Sequence, residues 1–342
     1  MKLSDGPGHV EIRDIPYPVL PSQDWVVVKV KASGICGSDM HIYHGSAKFW
    51  PPFAIGHEFS GEIAEMGRDV KDWAIGDRVV CETHTLHCGT CRLCREGKIQ
   101  YCASKRPVGF GVNGGFAEYV AIPAMFLHRI PDNVSYEVAA LAEPLTITIN
   151  QIAEKGLVTV SDYAVVLGSG AIGILSGFVA KTMGARKVLM TGLNVSEKVR
   201  FPAALKVGVD ETFNSQTASP VEYVLSQTNS EGADVILEAS GSAIAINQGI
   251  EMIRKTGKFA CIGMSGKDTI EFPYNTAMRK GLTLYYTFST NFSGWDRAMY
   301  LMSTTPYDLS ALITHRVKLE DFQWAFSEIE NENAIKAIFT FD

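Results

Sequence analysis

Four cysteines within fifteen residues form the clearest chemical motif in the sequence. Cys88, Cys91, Cys94 and Cys102 are spaced as C-x2-C-x2-C-x7-C. Four thiolates from one short loop can surround a tetrahedral Zn2+ and leave no open position, as structural zinc sites do. An iron–sulfur cluster is the alternative. Bacterial ferredoxins have three residues before the last cysteine and a proline after it, whereas here there are seven residues and then Ala103. The spacing therefore favours a structural zinc ion.

A second group of reactive side chains precedes this loop. Cys36, Ser38 and His41 lie in a turn-rich segment, and His57 and Glu58 follow a Pro-Pro break. Each residue type alone is usually part of the core or the surface, because cysteine packs as a small apolar residue and histidine is commonly satisfied by local partners. Their clustering makes them candidates for a catalytic site.

Glu143 is a third candidate. It precedes the uncharged run from 145 to 149, which is an unfavourable setting for a carboxylate unless it is paired or binds a metal. An ordinary salt bridge remains the alternative interpretation.

A glycine-rich turn indicates where a dinucleotide binds. Gly168, Gly170 and Gly173 supply G-x-G-x-x-G between an apolar strand at 164–167 and a predicted helix at 171–183. A pyrophosphate needs a tight turn, a close backbone approach and free N–H groups at a helix N-terminus. The segment meets all three needs.

Two other interpretations of glycine-rich sequence are less well supported. Gly109, Gly111 and Gly114 repeat the pattern, but the strand-like segment 115–120 follows them, so no helix start is available for a phosphate. Residues 163–180 contain no charge and could suggest a membrane span. That run is at the short limit for a span and divides naturally into a strand and a helix.

The remaining pattern predicts the elements that position these residues. After the glycine turn, strands at 233–237 and 258–262 flank a helix at 242–255, so the alternation predicts a doubly wound parallel sheet. The apolar segment 282–288 is predicted as its last strand. An exposed apolar edge favours pairing with a second subunit, giving a homodimer or homotetramer. Near the N-terminus, 10–13 also has the pattern of a strand.

Composition excludes several classes of function. The chain has 342 residues, enough for two domains, and a formal net charge of −6. Its acidic balance and lack of a basic run argue against nucleic acid and membrane surfaces as partners. The N-terminus shows no secretory or transit pattern, and clustered cysteines favour metal thiolates in a reducing compartment, so we expect a cytoplasmic protein.

The order of these motifs resembles that of the zinc-dependent medium-chain alcohol dehydrogenase family, with polyol (sorbitol-type) and threonine 3-dehydrogenases the most similar members. The resemblance covers essentially the whole chain. It implies an α/β fold in which a Rossmann doubly wound parallel sheet is inserted in a mainly β, GroES-like catalytic domain, with the active cleft between the two. The implied catalytic domain comprises 1–146 and 289–342, and the implied dinucleotide-binding domain comprises 147–288.

The resemblance also implies one catalytic zinc ion in addition to the structural one. Its ligands would be Cys36, His57 and Glu143, the last directly or through water, with Glu58 as an alternate ligand or a neighbour of the ligands. Alcohol dehydrogenases proper have a second cysteine where this chain has Glu143. One coordination position would stay open for substrate.

Ser38 and His41 match the family's proton relay. Ser38 would take the proton of the substrate hydroxyl, and His41 would pass it toward solvent. Glu58 is included with them as a candidate catalytic residue.

The cofactor prediction extends beyond the glycine turn. An NAD-specific fold places Asp or Glu at the end of the second strand, where this chain has Gly192. The sequence therefore favours NADP, and Arg200 or Lys198 would pair with its 2′-phosphate. Binding of a ribose hydroxyl by Asn194 or Ser196 is the alternative. The predicted cofactor residues are Gly168, Ser169, Gly170, Ala171, Ile172, Gly173, Gly192, Arg200, Ser240 and Ile262.

The expected reaction is hydride transfer between a secondary alcohol and NAD(P). Glu143-Pro144-Leu145 resembles polyol dehydrogenases, which makes a sugar alcohol the first choice. Glu82-Thr83-His84 resembles threonine 3-dehydrogenases, so L-threonine is the alternative. A non-catalytic zinc- and nucleotide-binding protein is the hypothesis from another class, and the retained candidate ligands argue against it.

Overall fold

A computed structural model describes residues 1–46 and 49–342. The strands are β1 Trp25–Gly34, β2 Glu58–Met66, β3 Arg78–Cys81, β4 Tyr119–Pro123, β5 Leu127–Arg129, β6 Tyr163–Leu167, β7 Lys187–Gly192, β8 Glu211–Asn214, β9 Ala233–Glu238, β10 Ile253–Cys261, β11 Thr283–Tyr286, β12 Ile313–Val317 and β13 Lys336–Thr340. The helices are α1 Gly37–Tyr43, α2 Arg92–Arg95, α3 Tyr136–Ala139, α4 Ala142–Ile152, α5 Ala171–Thr182, α6 Arg200–Lys206, α7 Pro220–Gln227, α8 Ala243–Met252, α9 Tyr274–Lys280, α10 Phe292–Thr304 and α11 Phe322–Glu330.

These elements form two compact units. The first unit comprises Met1–Thr146, Thr290–Thr305 and Ile313–Asp342, and the second comprises Ile147–Ser289 and Pro306–Leu312. Each unit has its own sheet and its own buried apolar cluster.

The first unit is built on a seven-stranded, mostly antiparallel sheet. Its order is β12-β13-β1-β2-β3-β5, and β4 also pairs with β1. Val26, Val27, Val28 and Val30 of β1 are all fully buried, so both faces of this central strand are covered. The C-terminal strand β13 pairs antiparallel with β1, opposing Ala32 with Thr340. The end of the chain therefore completes the sheet begun near its start.

The second unit contains a six-stranded parallel sheet in the order β11-β10-β9-β6-β7-β8. This is the strand order of a Rossmann fold, in which the chain begins at the centre, runs to one edge and then to the other. All five residues of β6 are buried, as expected for a central parallel strand covered by helices. The predicted doubly wound sheet is confirmed.

One local expectation is wrong in the structure, and two others agree with it. Residues 10–13 are not a strand, because Val10 forms only an isolated bridge with Lys2. The uncharged run 163–180 divides into β6 and α5, and none of the described helices has the length and apolar character needed to cross a membrane. Glu143 lies within the first turn of α4. The second glycine pattern is a loop that leads into β4.

Candidate metal centre and dinucleotide-binding turn

Three of the predicted ligands come together in the first unit. One donor atom from each of Cys36, His57 and Glu58 lies within 4.8 Å of the other two. Cys36 is the N-cap residue of α1, and His57 and Glu58 enter β2, where Glu58 opposes Gly34 of β1. A thiolate, an imidazole and a carboxylate are ligands that Zn2+ accepts, and their spacing fits metal–ligand bonds of about 2.0–2.3 Å. This group could hold a zinc ion.

Asp39 orients the group, although the sequence analysis did not identify it. Its Oδ2 atom accepts a hydrogen bond from Cys36 N at 2.8 Å, and its Oδ1 atom lies 3.3 Å from His57 Nδ1. Burial lowers the pKa of His57, but Asp39 and Cys36 together outweigh burial and hold that pKa well above its usual value. A carboxylate behind a ligating histidine fixes the ring and strengthens it as a ligand. The sequence signal that could have identified Asp39 is its position three residues after Cys36, in the first turn of α1.

Lys336 is the second residue that sequence analysis missed. Its Nζ atom donates to both carboxylate oxygens of Glu58, at 2.7 and 2.8 Å, and to Ile35 O at 3.1 Å. Glu58 and Lys336 are both buried, and a Cβ on Gly34 would lie 2.4 Å from Glu58 Oε2. Burial lowers the pKa of Lys336, and Glu58, Cys36 and Glu143 together raise it by more, so the ammonium stays charged. Nothing in the local sequence links residues 58 and 336.

The other predicted catalytic residues lie nearby in different settings. Glu143 is buried but lies outside the group of three, and burial raises its pKa to about 7 against the opposing charge of His57. Ser38 Oγ lies 3.4 Å from His57 Nε2. His41 is one turn further along α1, is exposed, and its Nδ1 lies 3.1 Å from Ser46 Oγ. Ser38 and His41 are three residues apart and so share one face of the helix.

The four-cysteine loop also has the geometry of a metal site. The Sγ–Sγ distances are 3.9 Å for Cys88–Cys94, 3.5 Å for Cys91–Cys94 and 3.6 Å for Cys88–Cys102. A tetrahedron with Zn–S bonds of about 2.3 Å has edges of about 3.8 Å. Backbone N–H groups donate to the Cys88 and Cys91 sulfurs, and they lower the pKa of Cys88 to about 6. The loop could hold a zinc ion with four thiolates.

The glycine turn in the second unit has the form that a pyrophosphate requires. Gly168 has φ +101°, so it makes the turn that a side chain would disfavour. A Cβ on Gly173 would lie 2.0 Å from Gly168 O, so α5 packs closely on the strand. A Cβ on Gly170, the N-cap of α5, would meet nothing within 4 Å. The intervening Ser169, Ala171 and Ile172 complete a turn that leaves room for phosphate.

The end of β7 has no room for the acidic side chain that an NAD-specific fold carries there. A Cβ on Gly192 would lie 2.7 Å from Ser196 Oγ and 2.9 Å from Ser169 Oγ, and these two hydroxyl oxygens are 2.6 Å apart. Ser196 is therefore engaged, and Asn194 accepts a hydrogen bond from Asn214 at 2.7 Å. The Nε atom of Arg200 is buried and has no hydrogen-bond partner among the described residues.

Ser240 and Ile262 lie at the carboxyl ends of the next strands. Glu238 Oε1 accepts hydrogen bonds from Ser240 N at 2.7 Å and Ser240 Oγ at 2.6 Å. Ile262 N donates to Glu238 O at 2.8 Å. The Cβ atom of Ser240 would be 2.9 Å from a Cβ on Gly168, so Ser240 borders the glycine turn. Ligands of parallel α/β sheets bind at this edge.

Comparison with known proteins agrees with this architecture. Residues 22–132 match the family described as alcohol dehydrogenase GroES-like domain, and residues 171–304 match the family described as zinc-binding dehydrogenase. The first match includes both candidate metal-binding groups, and the second includes the parallel sheet from α5 onward.

Similar proteins span nearly the whole chain. Sorbitol dehydrogenase of Halalkalibacterium halodurans is 36% identical over 340 residues, covering 99% of this chain and 98% of that one. L-threonine 3-dehydrogenase of Marinomonas sp. is 36% identical over 326 residues, covering 92% and 91%. The structure of galactitol-1-phosphate dehydrogenase from Escherichia coli superimposes with a TM-score of 0.88 at 28% identity, covering 98% of each chain.

The chain belongs to the zinc-dependent medium-chain alcohol dehydrogenase family. It is an NAD(P)-dependent zinc-type dehydrogenase, with an α/β fold that combines a Rossmann sheet and a GroES-like domain. The family resemblance predicted from the order of the motifs is confirmed.

Proposed function

We propose that this enzyme oxidises a secondary hydroxyl group of a sugar alcohol. The observation that carries the proposal is the group of half-buried Cys36 and buried His57 and Glu58, whose donor atoms lie within 4.8 Å of one another beside the Asp39 carboxylate. The similarity to sorbitol and galactitol-1-phosphate dehydrogenases supports a polyol substrate. In this proposal the first unit carries both metals and the second carries the dinucleotide.

Cys36 and His57 are proposed as ligands of a catalytic zinc ion. Glu143 would complete the set directly or through water, and its pKa of about 7 lets a bound cation ionise it at neutral pH. Lys336 engages both oxygens of Glu58, which favours Glu58 as a neighbour of the ligands; as an alternate ligand it would have to give up a contact with Lys336. A structural zinc ion is proposed for Cys88, Cys91, Cys94 and Cys102.

The chain's own residues would move the proton and orient the ligands. When bound, zinc supplies a Lewis acid for the substrate hydroxyl and the nicotinamide supplies a hydride acceptor. Ser38 Oγ, beside His57, would accept the hydroxyl proton, and His41 on the same face of α1 would pass it to solvent. Asp39 would keep His57 in the tautomer that binds metal through Nε2.

NADP is the proposed cofactor. Gly192 cannot be replaced by an acidic residue without meeting Ser196, and the buried Nε of Arg200 has no hydrogen-bond partner among the described residues. A guanidinium beside the ribose suits a 2′-phosphate. The engagement of Asn194 and Ser196 with other side chains weakens the alternative that they bind a ribose hydroxyl.

L-threonine is the second candidate substrate. The similarity to L-threonine 3-dehydrogenase favours it, and threonine, like a polyol, is a secondary alcohol beside another polar group. The same metal and relay residues would serve both substrates, so only the remainder of the substrate distinguishes them.

A homodimer or homotetramer is proposed through β11. This strand lies at the edge of the parallel sheet, and Tyr286 and Phe288 at its end are 73% and 50% exposed. A second copy would cover this edge and its apolar side chains. Sedimentation of the wild type and of Tyr286→Lys tests the interface, because the added charge should shift the mass toward the monomer.

Free cysteines throughout the chain support a reducing, cytoplasmic location.

A substrate panel tests the proposed reaction. The purified protein is assayed with sorbitol, xylitol, galactitol and L-threonine, each with NAD+ and NADP+. We expect oxidation of at least one polyol and a higher kcat/KM with NADP+. Oxidation of threonine alone would overturn the polyol substrate, and a clear preference for NAD+ would overturn the cofactor choice. Two zinc ions per chain by metal analysis would support the proposed pair of sites, and one would contradict it.

A further inference from the structure

Arg106 and Trp50 form a cation–π pair in the first unit. The Arg106 Cζ atom lies 3.5 Å from the centroid of the Trp50 ring. The backbone of Arg106 is fixed by hydrogen bonds with Leu86, one from Arg106 N at 2.9 Å and one to Arg106 O at 3.2 Å. Stacking engages the face of a guanidinium and leaves the N–H groups along its edge available.

A tight turn connects this pair to the metal-binding histidine. Phe110 N and Gly111 N both donate to Pro107 O, at 3.2 and 3.1 Å, which folds the chain back toward Arg106. A Cβ on Gly111 would lie only 3.1 Å from Arg106 Cδ. The Phe110 ring packs against His57, with 4.5 Å between the ring centroids. Phe110 therefore contacts His57, and the next residue, Gly111, contacts Arg106. Because consecutive Cα atoms are about 3.8 Å apart, these two contacts are made from neighbouring points of the backbone.

The guanidinium also lacks an internal counter-ion. Within the part of the chain that the structure describes, no carboxylate forms an ion pair with Arg106. Its aromatic partner Trp50 is 46% exposed, so an incoming ligand can reach the pair. A positive group that is held in place, accessible and unpaired is suited to binding an anion.

We propose that Arg106, stacked on Trp50, binds the phosphate group of a phosphorylated sugar alcohol. This inference rests on the proposed polyol oxidation, and it names the substrate class more closely. The substrate would place one hydroxyl at the Cys36–His57 site and its terminal phosphate at Arg106. A guanidinium binds phosphate through two parallel N–H···O bonds, which fixes the position of the carbon chain between the two ends.

The position of Arg106 favours a terminal phosphate over the carboxylate of threonine. In threonine the carboxylate lies only two carbons from the carbon that carries the hydroxyl. Phe110 packs on His57 and Gly111 packs on Arg106, so a substrate held at both His57 and Arg106 would extend past these two residues. A five- or six-carbon polyol phosphate has that length, and its dianion gains more from a guanidinium than a monoanion does.

Matched pairs of substrates test the proposal. The zinc-loaded full chain is assayed with galactitol and galactitol 1-phosphate, with D-arabitol and a D-arabitol phosphate, and with L-threonine. The measured quantity is the ratio of kcat/KM for the phosphorylated substrate to that for its neutral partner. The variants are Arg106→Gln, Arg106→Lys and the control Arg68→Gln, which removes the same charge from a site that is 82% exposed.

We expect the wild type to favour the phosphorylated substrate. Arg106→Gln should lower the ratio roughly 30-fold or more, because the charged hydrogen bonds to phosphate are lost. Arg106→Lys should lower it by less, and Arg68→Gln should leave it unchanged. Arg106→Lys keeps the charge and most of the stem, so it provides the test if the glutamine variant does not fold.

Two results would overturn the inference while leaving polyol oxidation intact. One is a wild-type ratio near one, and the other is an unchanged ratio in a folded Arg106→Gln variant. Failure to oxidise any polyol in either form, with turnover of L-threonine, would instead overturn the proposed function itself.

Discussion

The two proposed metal-binding groups of the first unit differ in how the chain builds them. The cysteine loop collects four like ligands from residues 88–102 at the surface, where Cys88 is exposed and the sulfurs accept hydrogen bonds from their own loop. The other group combines unlike ligands from α1 and β2 in the interior, and Lys336 reaches it from the opposite end of the sequence. The first group is local, and the second depends on the whole unit.

This difference indicates that the cysteine loop contributes to stability and that the mixed group contributes to catalysis. A closed set of four thiolates offers no position for a substrate, so its contribution is to hold a loop that has little buried surface of its own. The mixed group is held by charged neighbours, since Lys336 donates to both oxygens of Glu58 and Asp39 lies beside His57, and these contacts fix its geometry. We therefore expect variants of the two groups to affect different measurements.

Replacing Cys36 should have the largest effect on activity. Cys36→Ser should lower kcat/KM at least roughly 1,000-fold, because the Lewis-acid contribution of a catalytic zinc ion is worth several kcal/mol. The melting temperature should change little, and one zinc ion per chain should remain. Cys261→Ser, a half-buried cysteine outside both metal-binding groups, is the matched control. Normal turnover of Cys36→Ser would contradict the assignment.

Replacing Cys94 should reverse that pattern. Cys94→Ser should release the proposed structural zinc ion and destabilise the protein by roughly 4 kcal/mol or more, because loss of a metal is among the mechanisms that cause the largest losses of stability. The protein that stays folded should retain most of its kcat. Urea unfolding and metal analysis measure these effects. A stable variant that lost only activity would indicate that the loop belongs to the catalytic site.

Lys336→Met should destabilise the interior group by about 3 kcal/mol or more, because the Glu58 carboxylate would stay buried without its partner. The double variant Glu58→Gln/Lys336→Met should recover part of that loss, since no charge remains buried. Lys318→Met, which removes a lysine that is 59% exposed, should cost less than about 0.5 kcal/mol. Equal losses in both lysine variants would show that the ion pair contributes nothing specific.

Lowering the pH should decrease the free energy of unfolding through His84, which precedes the cysteine loop. Burial lowers the pKa of this ring to about 4, and its Nε2 lies 3.1 Å from Thr290 O. Between pH 6.5 and 4 the unfolded chain binds a proton that the folded chain does not, so stability is full above pH 6.5 and decreases below it.

The maximum loss from His84 is about 3 kcal/mol. His84→Gln should flatten the dependence of the unfolding free energy on pH in this range, as measured by urea titrations from pH 7 to 4.5. The exposed His9→Gln control should keep the wild-type slope. An unchanged slope in His84→Gln would mean that other groups cause the acid sensitivity.

Much of the architecture follows from local patterns. The strand 164–167 and the helix 171–183 agree with β6 and α5 to within one residue at each end, because an apolar strand, a glycine turn and a helix leave one arrangement of the backbone. By contrast, 10–13 has the alternation of a strand but lacks a neighbouring strand to pair with, so only the Val10 bridge forms. Pairing partners decide where a short alternating segment becomes a strand.

The sequence by itself determined the cysteine loop, the glycine turn and the family, because each depends on the spacing of residues within a short segment. The tertiary structure decided that Asp39 faces His57, that Lys336 engages Glu58 across 278 residues, and that Glu143 lies outside the group of three. It also placed Arg106 on Trp50. The contacts among Asp39, His57, Glu58 and Lys336 join segments that are distant in the chain, and the pairing of β13 with β1 and of β1 with β2 brings those segments together.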